Sequence, residues 1–453
     1  MMRSITTFLL SLSCAFAIFI PSVHAKKTQP PQVIHVSPTG LKNGTGSAAK
    51  PFKTINAGLK HAQAGDQVVV HGGTYHEKIH FPRSGQKTRP ITLKNFQHEH
   101  VVIDGSQQHV SGDMEGLLTL KNRHHIQIQG LTIQNFSSQN EQVPVGVLVT
   151  GKSSHITLKH LHVHHIETLA KDADIANAHA IAIYGTSGKK ALQKITLNAS
   201  EIDHNKLGNS EAVVLNGNVS HFKISHNQIH DNDNLGIDMI GYEKTATKHD
   251  YARHGVVTQN KLWNISTKDN PSYQEPSSAA IYADGARDLK IQRNQIHDSD
   301  IGIEAASEHH GKTTKQVTIR NNLIENCHAI AGIAFGGYDK KRGQAREIKL
   351  LNNTLVNNSP QILVQHYAQA SSNVILNNLF AGGPTFAGKL TNIKHQTNYT
   401  GKPDFVAADQ HDFHLQPDSQ AKNTAKVRRD LGHKDLAGKK RIVNDQVSFG
   451  AYQ

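Results

Sequence analysis

Residues 291–296 read IQRNQI, and the same pattern returns as ISHNQI at 224–229, VTQNKL at 257–262, IRNNLI at 319–324 and LLNNTL at 350–355. Each copy sets an apolar residue first, an Asn three positions later and a further apolar residue two beyond that. Nine such units run from Ile128/Leu131/Ile133 to Ile375/Asn378/Phe380, with middle anchors 25 to 39 residues apart. From Asn227 onward every middle anchor is Asn. A fixed period of about 30 residues marks a solenoid, because one unit cannot bury its apolar face alone. Coils stacked at about 4.8 Å would also let the Asn side chains hydrogen-bond from rung to rung.

A second strand, written G/A-I-x-x-x-G, falls between the rungs seven times, from GVLVTG at 146–151 to GIAFGG at 332–337. Its second and fourth residues (Ile181 and Ile183, Ile237 and Met239, Ile303 and Ala305) are apolar and face a core. The third and fifth then face solvent. Two or three short strands per turn predict an all-β fold, a right-handed parallel β-helix with an N-terminal cap. Residues 26–453 form one domain in this reading. The cap occupies 33–80, with a helix over 54–64. Coils fill about 90–380, and a polar tail over 381–453 packs on the last coil.

Composition agrees with a thin core. The chain has 453 residues, 37% hydrophobic and 19% charged, with 35 Gly and a net charge of +13 that leaves its 32 His neutral. A basic balance points to anionic partners. Basic runs interleaved with aromatics are missing and aromatics total only 6%, so nucleic acid is excluded and an acidic polysaccharide is the expected partner. Arg3, the apolar run 8–20 and the small-residue site Val23-His24-Ala25 form a signal peptide over 1–25. The protein is therefore expected to be exported, periplasmic or extracellular, without membrane insertion and as a monomer. Loss of that segment removes Cys14 and leaves Cys327 alone, so no internal disulfide is expected.

Stacking the third residues of the second strand gives Leu148, Ala182, Val214, Asp238, Tyr282, Glu304 and Ala334. The fifth residues are Thr150, Tyr184, Asn216, Ile240, Asp284, Ala306 and Gly336. Acids enter these columns only on three consecutive coils, which costs repulsion unless they serve a site. Asp238, Tyr282, Asp284, Arg287, Glu304, Glu308 and His309 are the candidate catalytic residues. Glu211, Asp231, Asp233 and Asp238 are the candidate metal ligands, since Ca²⁺ asks for several converging carboxylate oxygens. Alternatively, two carboxyl groups roughly 6.5–9.5 Å apart suit inverting hydrolysis of a glycosidic bond, and Asp284 with Asp238 or Glu304 falls in that range. The histidines carry no tight metal-ligand spacing and are read as a polar β-surface.

Residues 33–77 (VIHVSPTGLKNGTGSAAKPFKTINAGLKHAQAGDQVVVHGGTYHE) and the rungs through Phe380 resemble the exported pectate-lyase-like β-helix superfamily. Glu211 and the run DNDNLGID at 231–238 resemble the calcium-binding acids of family-nine pectate lyases, although Asn234-Leu235 interrupts the run. The family's catalytic base is a lysine on a following coil. This sequence offers Tyr282, Asp284 and Arg287 there, so Arg287, Lys244 or Tyr282 would have to serve. YADGARD at 282–288 and GIEAASEHHGK at 302–312 look more like uncharacterised exported β-helix proteins. The resemblance implies a lyase that cleaves a uronate-containing polysaccharide by β-elimination, with Ca²⁺ as a possible cofactor. An inverting glycoside hydrolase and a non-catalytic carbohydrate-binding protein are the alternatives.

Overall fold

A computed structural model of the chain describes residues 30–273, 275–367 and 372–453. The expected signal peptide lies outside the described residues. From Pro31 onward the chain is one compact unit. It winds through three parallel sheets. A first sheet of thirteen strands begins at Val33–Leu41, and its stacked path ends at Val374–Leu376. A second of eleven runs from Ile79–His80 to Phe386–Gly388, and a third of eleven from Gly73–Tyr75 to Leu379–Ala381. Each full coil gives one strand to the first, third and second sheet in turn, as in 154–159, 162–168 and 179–185. Parallel strands joined in this way form the right-handed β-helix.

The Asn anchors sit in the tight turn between the first and third sheets, and they bond as a ladder. The backbone N–H and Nδ2 of Asn260 both donate to Oδ1 of Asn294, each at 3.0 Å. Nδ2 of Asn260 also donates to the Ile224 carbonyl of the preceding coil at 3.1 Å. The series continues through Asn294, Asn322, Asn353 and Asn378 to Asn398. Asn353 and Asn378 are fully buried, so the ladder satisfies backbone groups that water cannot reach. Inside it, columns such as Ile224, Val257, Ile291, Ile319 and Leu350 fill the core.

The turns also account for the histidines. The residue before each Asn anchor is left-handed: His226, Gln259, Arg293, Asn321, Asn352 and Asn377 all have φ between 50° and 59°. Two further left-handed positions recur per coil, at His165, His204 and Asp231 and at His155, His221 and His254. Asn, Asp and His tolerate that conformation better than most side chains. Eleven described histidines occupy it.

Two expectations need adjustment. The helix spans Ile55–His61, capped by Thr54, whose side chain accepts from the Ala57 N–H. The segment 33–80 around it is more than a cap, since Val33–Leu41 and Gln67–Val70 already pair as the first rungs of the first sheet. The polar tail does not simply close the last coil. Strand Phe386–Gly388 adds to the second sheet, and the chain beyond runs back along the outside of earlier coils. There Phe413, Ala451 and Tyr452 pack on Leu323 and Val356, and Leu431 and Val447 on Leu351 and Leu376.

Asn294→Ala would strip the acceptor from two donors of Asn260 and orphan the Val257 carbonyl, which Asn294 Nδ2 reaches at 3.2 Å. Urea unfolding should show a loss of about 2–4 kcal/mol. Asn294→Asp should lose a similar amount, because a carboxylate cannot donate to Val257 and Asn322.

Candidate active site

The second sheet places the acids. Its register pairs Leu148, Ala182, Val214, Asp238, Tyr282, Glu304 and Ala334 in one unbroken column. Asp238, Tyr282 and Glu304 thus occupy consecutive rungs on the outer face. The companion column slips at one point: Asp284 pairs with Ala306 as expected, but Ile240 bridges Gly285 instead of Asp284.

Facing outward does not mean facing water here. Asp238 is 2% exposed and Asp284 4%, and Tyr282 packs with Ala279, Ile301, Ala306 and Ala334 under Leu235, Ile330 and Leu363. The expected solvent-facing column is therefore a covered one. The loops after the strands supply the cover. Glu308 N–H donates to Asp284 Oδ1 at 2.8 Å, and Tyr282 Oη approaches Glu308 Oε1 at 3.5 Å. Arg342 closes on Glu308 at 2.7 Å, and His309 pairs with Glu243 at 2.6 Å. Gln365 donates to Glu304 Oε1 at 2.9 Å. Exposed Tyr273 and Tyr338 stand on the loops beside this group.

Burial dominates the electrostatics. It pushes the Asp238 carboxyl well above the usual range, and Glu211, Asp284 and Glu308 add repulsion. Asp284 is raised in the same way, by burial first and then by Glu308. Burial lifts Glu304 to about 7, against the pull of its Gln365 hydrogen bond. Asp238 Oδ1 is buried without a hydrogen-bond partner. Asp238, Asp284 and Glu304 are thus all pushed toward their protonated form, the kind of perturbation found where acids and bases act.

The structure separates the remaining expected residues. Arg287 turns from the acids: its guanidinium donates to the Tyr242 hydroxyl and lies 4.2 Å from the Tyr251 ring centre. Of the four expected metal ligands, only Glu211 and Asp238 share a face. The left-handed backbone at Asp231 turns it toward His230 and Asn264 on the third sheet. Asp233 accepts the Leu207 N–H at 2.7 Å, and burial raises it to about 6. Two carboxylates fall short of the oxygen set that Ca²⁺ requires, so the expected quartet does not fit. Gln365 and Glu243 were not anticipated. Ile362–Val364 continues the second-sheet column without the Gly that flags the other copies, which hid Gln365 just beyond it.

The family described as "Right handed beta helix region" matches residues 115–380, and that described as "Pel9A-like, right handed beta helix region" matches 34–179. The chain belongs to the right-handed β-helix family. It is 41% identical over 358 residues to the uncharacterized protein YwoF of Bacillus subtilis (strain 168), which spans 77% of this chain and 75% of that one. Among solved structures, pectate lyase Pel9A is similar with a TM-score of 0.59 at 12% identity, over 94% of this chain and 97% of that one. The GH136 lacto-N-biosidase of Eubacterium ramulus is similar with a TM-score of 0.55 at 14% identity, over 82% and 67%. Both likenesses are of fold, and the β-helix is one that carbohydrate-active enzymes use. No described helix is long and apolar enough to cross a membrane.

Raised acids make stability depend on pH in a fixed direction. Between its ordinary value of 4.5 and about 7, Glu304 is protonated in the folded protein and ionised in the unfolded chain. The folded state then binds more protons, so the contribution of Glu304 to stability falls as pH rises through that window. The difference in unfolding free energy between the protein and its Glu304→Gln variant should fall by about 2–3 kcal/mol from pH 4.5 to pH 7.5.

Proposed function

We propose that the protein is an exported polysaccharide-cleaving enzyme that breaks glycosidic bonds by acid/base catalysis with Asp238, Asp284, Glu304 and Glu308. The observation carrying this reading is a column of buried carboxyl groups held toward their protonated form on consecutive coils, opening past Glu308 to loops that bear exposed aromatic rings. A protonated carboxyl donates to the leaving oxygen, and an ionised one draws a proton from the attacking water. Cα atoms one rung and two residues apart, as for Glu304 and Asp284, are separated by about 8 Å. Tyr273 and Tyr338 offer apolar faces for sugar rings. The basic surface favours an acidic, uronate-containing chain as substrate.

Cleavage by β-elimination is the second reading, supported by the Pel9A-like match over 34–179. Its demand is a base that is free to take a proton. Arg287 is held by Tyr242 and Tyr251, Arg342 by Glu308, and Lys312 lies 5.2 Å from the Tyr242 ring centre. Hydrolysis is kept as the first reading because it draws on carboxyl groups already pushed toward their protonated form. No step in it is routed through calcium.

The two readings separate on the products from pectate, alginate and glycosaminoglycans. New reducing ends without ultraviolet absorbance, insensitive to chelator, are the expected outcome. Unsaturated, ultraviolet-absorbing ends would replace it with elimination, and no turnover on any acidic glycan would overturn both. Asp284→Asn and Glu304→Gln should each lower kcat by about 10²–10⁴-fold while the fold, read by circular dichroism, is kept.

A further inference from the structure

The outer face of the third sheet carries a second cluster of ionisable groups, unconnected with the acid column. Strands His162–Thr168, Glu201–Asp203 and Gln228–Asn232 lie side by side there. Their register sets His162 against Glu201, His164 against Asp203, and Asp203 against His230. The side chains cross this register diagonally. His162 Nε2 lies 2.7 Å from Asp203 Oδ1, and His230 Nε2 lies 3.3 Å from Glu201 Oε1. Each of His162, Glu201 and Asp203 offers a ligand atom, and the three atoms lie within 4.8 Å of one another.

We propose that His162 Nε2 and the carboxylates of Glu201 and Asp203 form a binding site for a divalent transition-metal ion of the zinc type. Three features of the cluster carry this. One imidazole nitrogen and two carboxylate oxygens are ligand atoms of the kinds that zinc-type ions take, and three of them leave a fourth coordination position open. Neighbouring groups orient the donors from outside: His204 Nδ1 holds the second oxygen of Asp203 at 2.5 Å. His230 is fixed by Asp231 at 2.6 Å and by the stacked ring of Trp263, whose centre is 4.0 Å away at 8°. Such outer partners hold ligands in place around bound metals. Entry is open as well. His162 and Glu201 line a cleft of about 750 Å³ together with His100 and Gln228. An ion there would tie two successive coils together, across the 39-residue step between Leu161 and Ser200.

The site is separable from the proposed glycan chemistry, because its residues lie on another sheet. The test uses protein freed of metal by chelator and titrated calorimetrically with ZnCl₂ in excess Mg²⁺. About one tight equivalent of Zn²⁺ is expected, accompanied by a rise in Tm. His162→Gln, Asp203→Asn and the surface change Glu201→Gln should each weaken that equivalent by at least about tenfold. His125→Gln should leave it intact, since His125 stacks on His155 in a different histidine pair. Crystals soaked in Zn²⁺ should show an anomalous peak about 2.0–2.2 Å from His162 Nε2. Tight zinc that survives all three variants, or a chain that takes up no tight equivalent, overturns the proposal and leaves His162 and Asp203 as an ion pair only.

Discussion

Every other feature of the molecule depends on the hydrogen-bonded register between successive coils. Parallel pairing brings residues about 30 positions apart in sequence to about 4.8 Å in space, and the Asn ladder prevents slippage. A slip of one residue would turn the Ile and Val columns outward. It would also break the bonds by which each Asn oxygen takes the backbone N–H and the side-chain amide of its neighbour. Apolar core, left-handed turns and functional columns are therefore set by a single alignment.

That alignment explains how an unfavourable acid column persists. Asp238, Tyr282 and Glu304 stack because Ile237, Ile281 and Ile303 stack beneath them. Burial of an aliphatic side chain contributes roughly 1.5–3 kcal/mol at every rung. Repulsion between neighbouring carboxylates in a covered site is of the same order, and it is relieved when one of them takes up a proton. The core dictates the spacing, and protonation is the response available to the acids. The shift of these acids toward their protonated form thus follows from packing on the inner face.

Inner columns were legible in the sequence because one side chain per coil obeys period-2 alternation. The acid column was legible for the same reason: Asp238, Tyr282 and Glu304 follow the strand pattern without a break. Legibility ended wherever the backbone leaves the regular strand. At Asp231 a left-handed residue redirects the chain, so acids adjacent in sequence serve different sheets. At Gly285 the strand bends and the fifth-residue column skips. The loops that bury the column, with Glu243, Glu308 and Arg342, obey no period at all. Alternation shows which way a side chain points, but not what lies over it. The histidine excess was read as surface polarity. Conformation accounts for part of it, since eleven described histidines adopt the left-handed backbone that recurs at the corners of the coil.

A like-charged column on the neighbouring sheet shows what burial decides. Arg253, Arg287, Lys315 and Arg346 stand in register on the first sheet, one on each successive rung. At that spacing two unit charges repel by about 1 kcal/mol in water and by about 3–4 kcal/mol at the effective dielectric of a partly buried site. Arg346 remains exposed, while Arg287 spreads its charge over the faces of Tyr242 and Tyr251. The acids stand farther apart, with Tyr282 between Asp238 and Glu304, yet burial under the loops pushes them toward their protonated form. One register thus casts two rows of opposite sign, and what packs over each row decides how its charge is met.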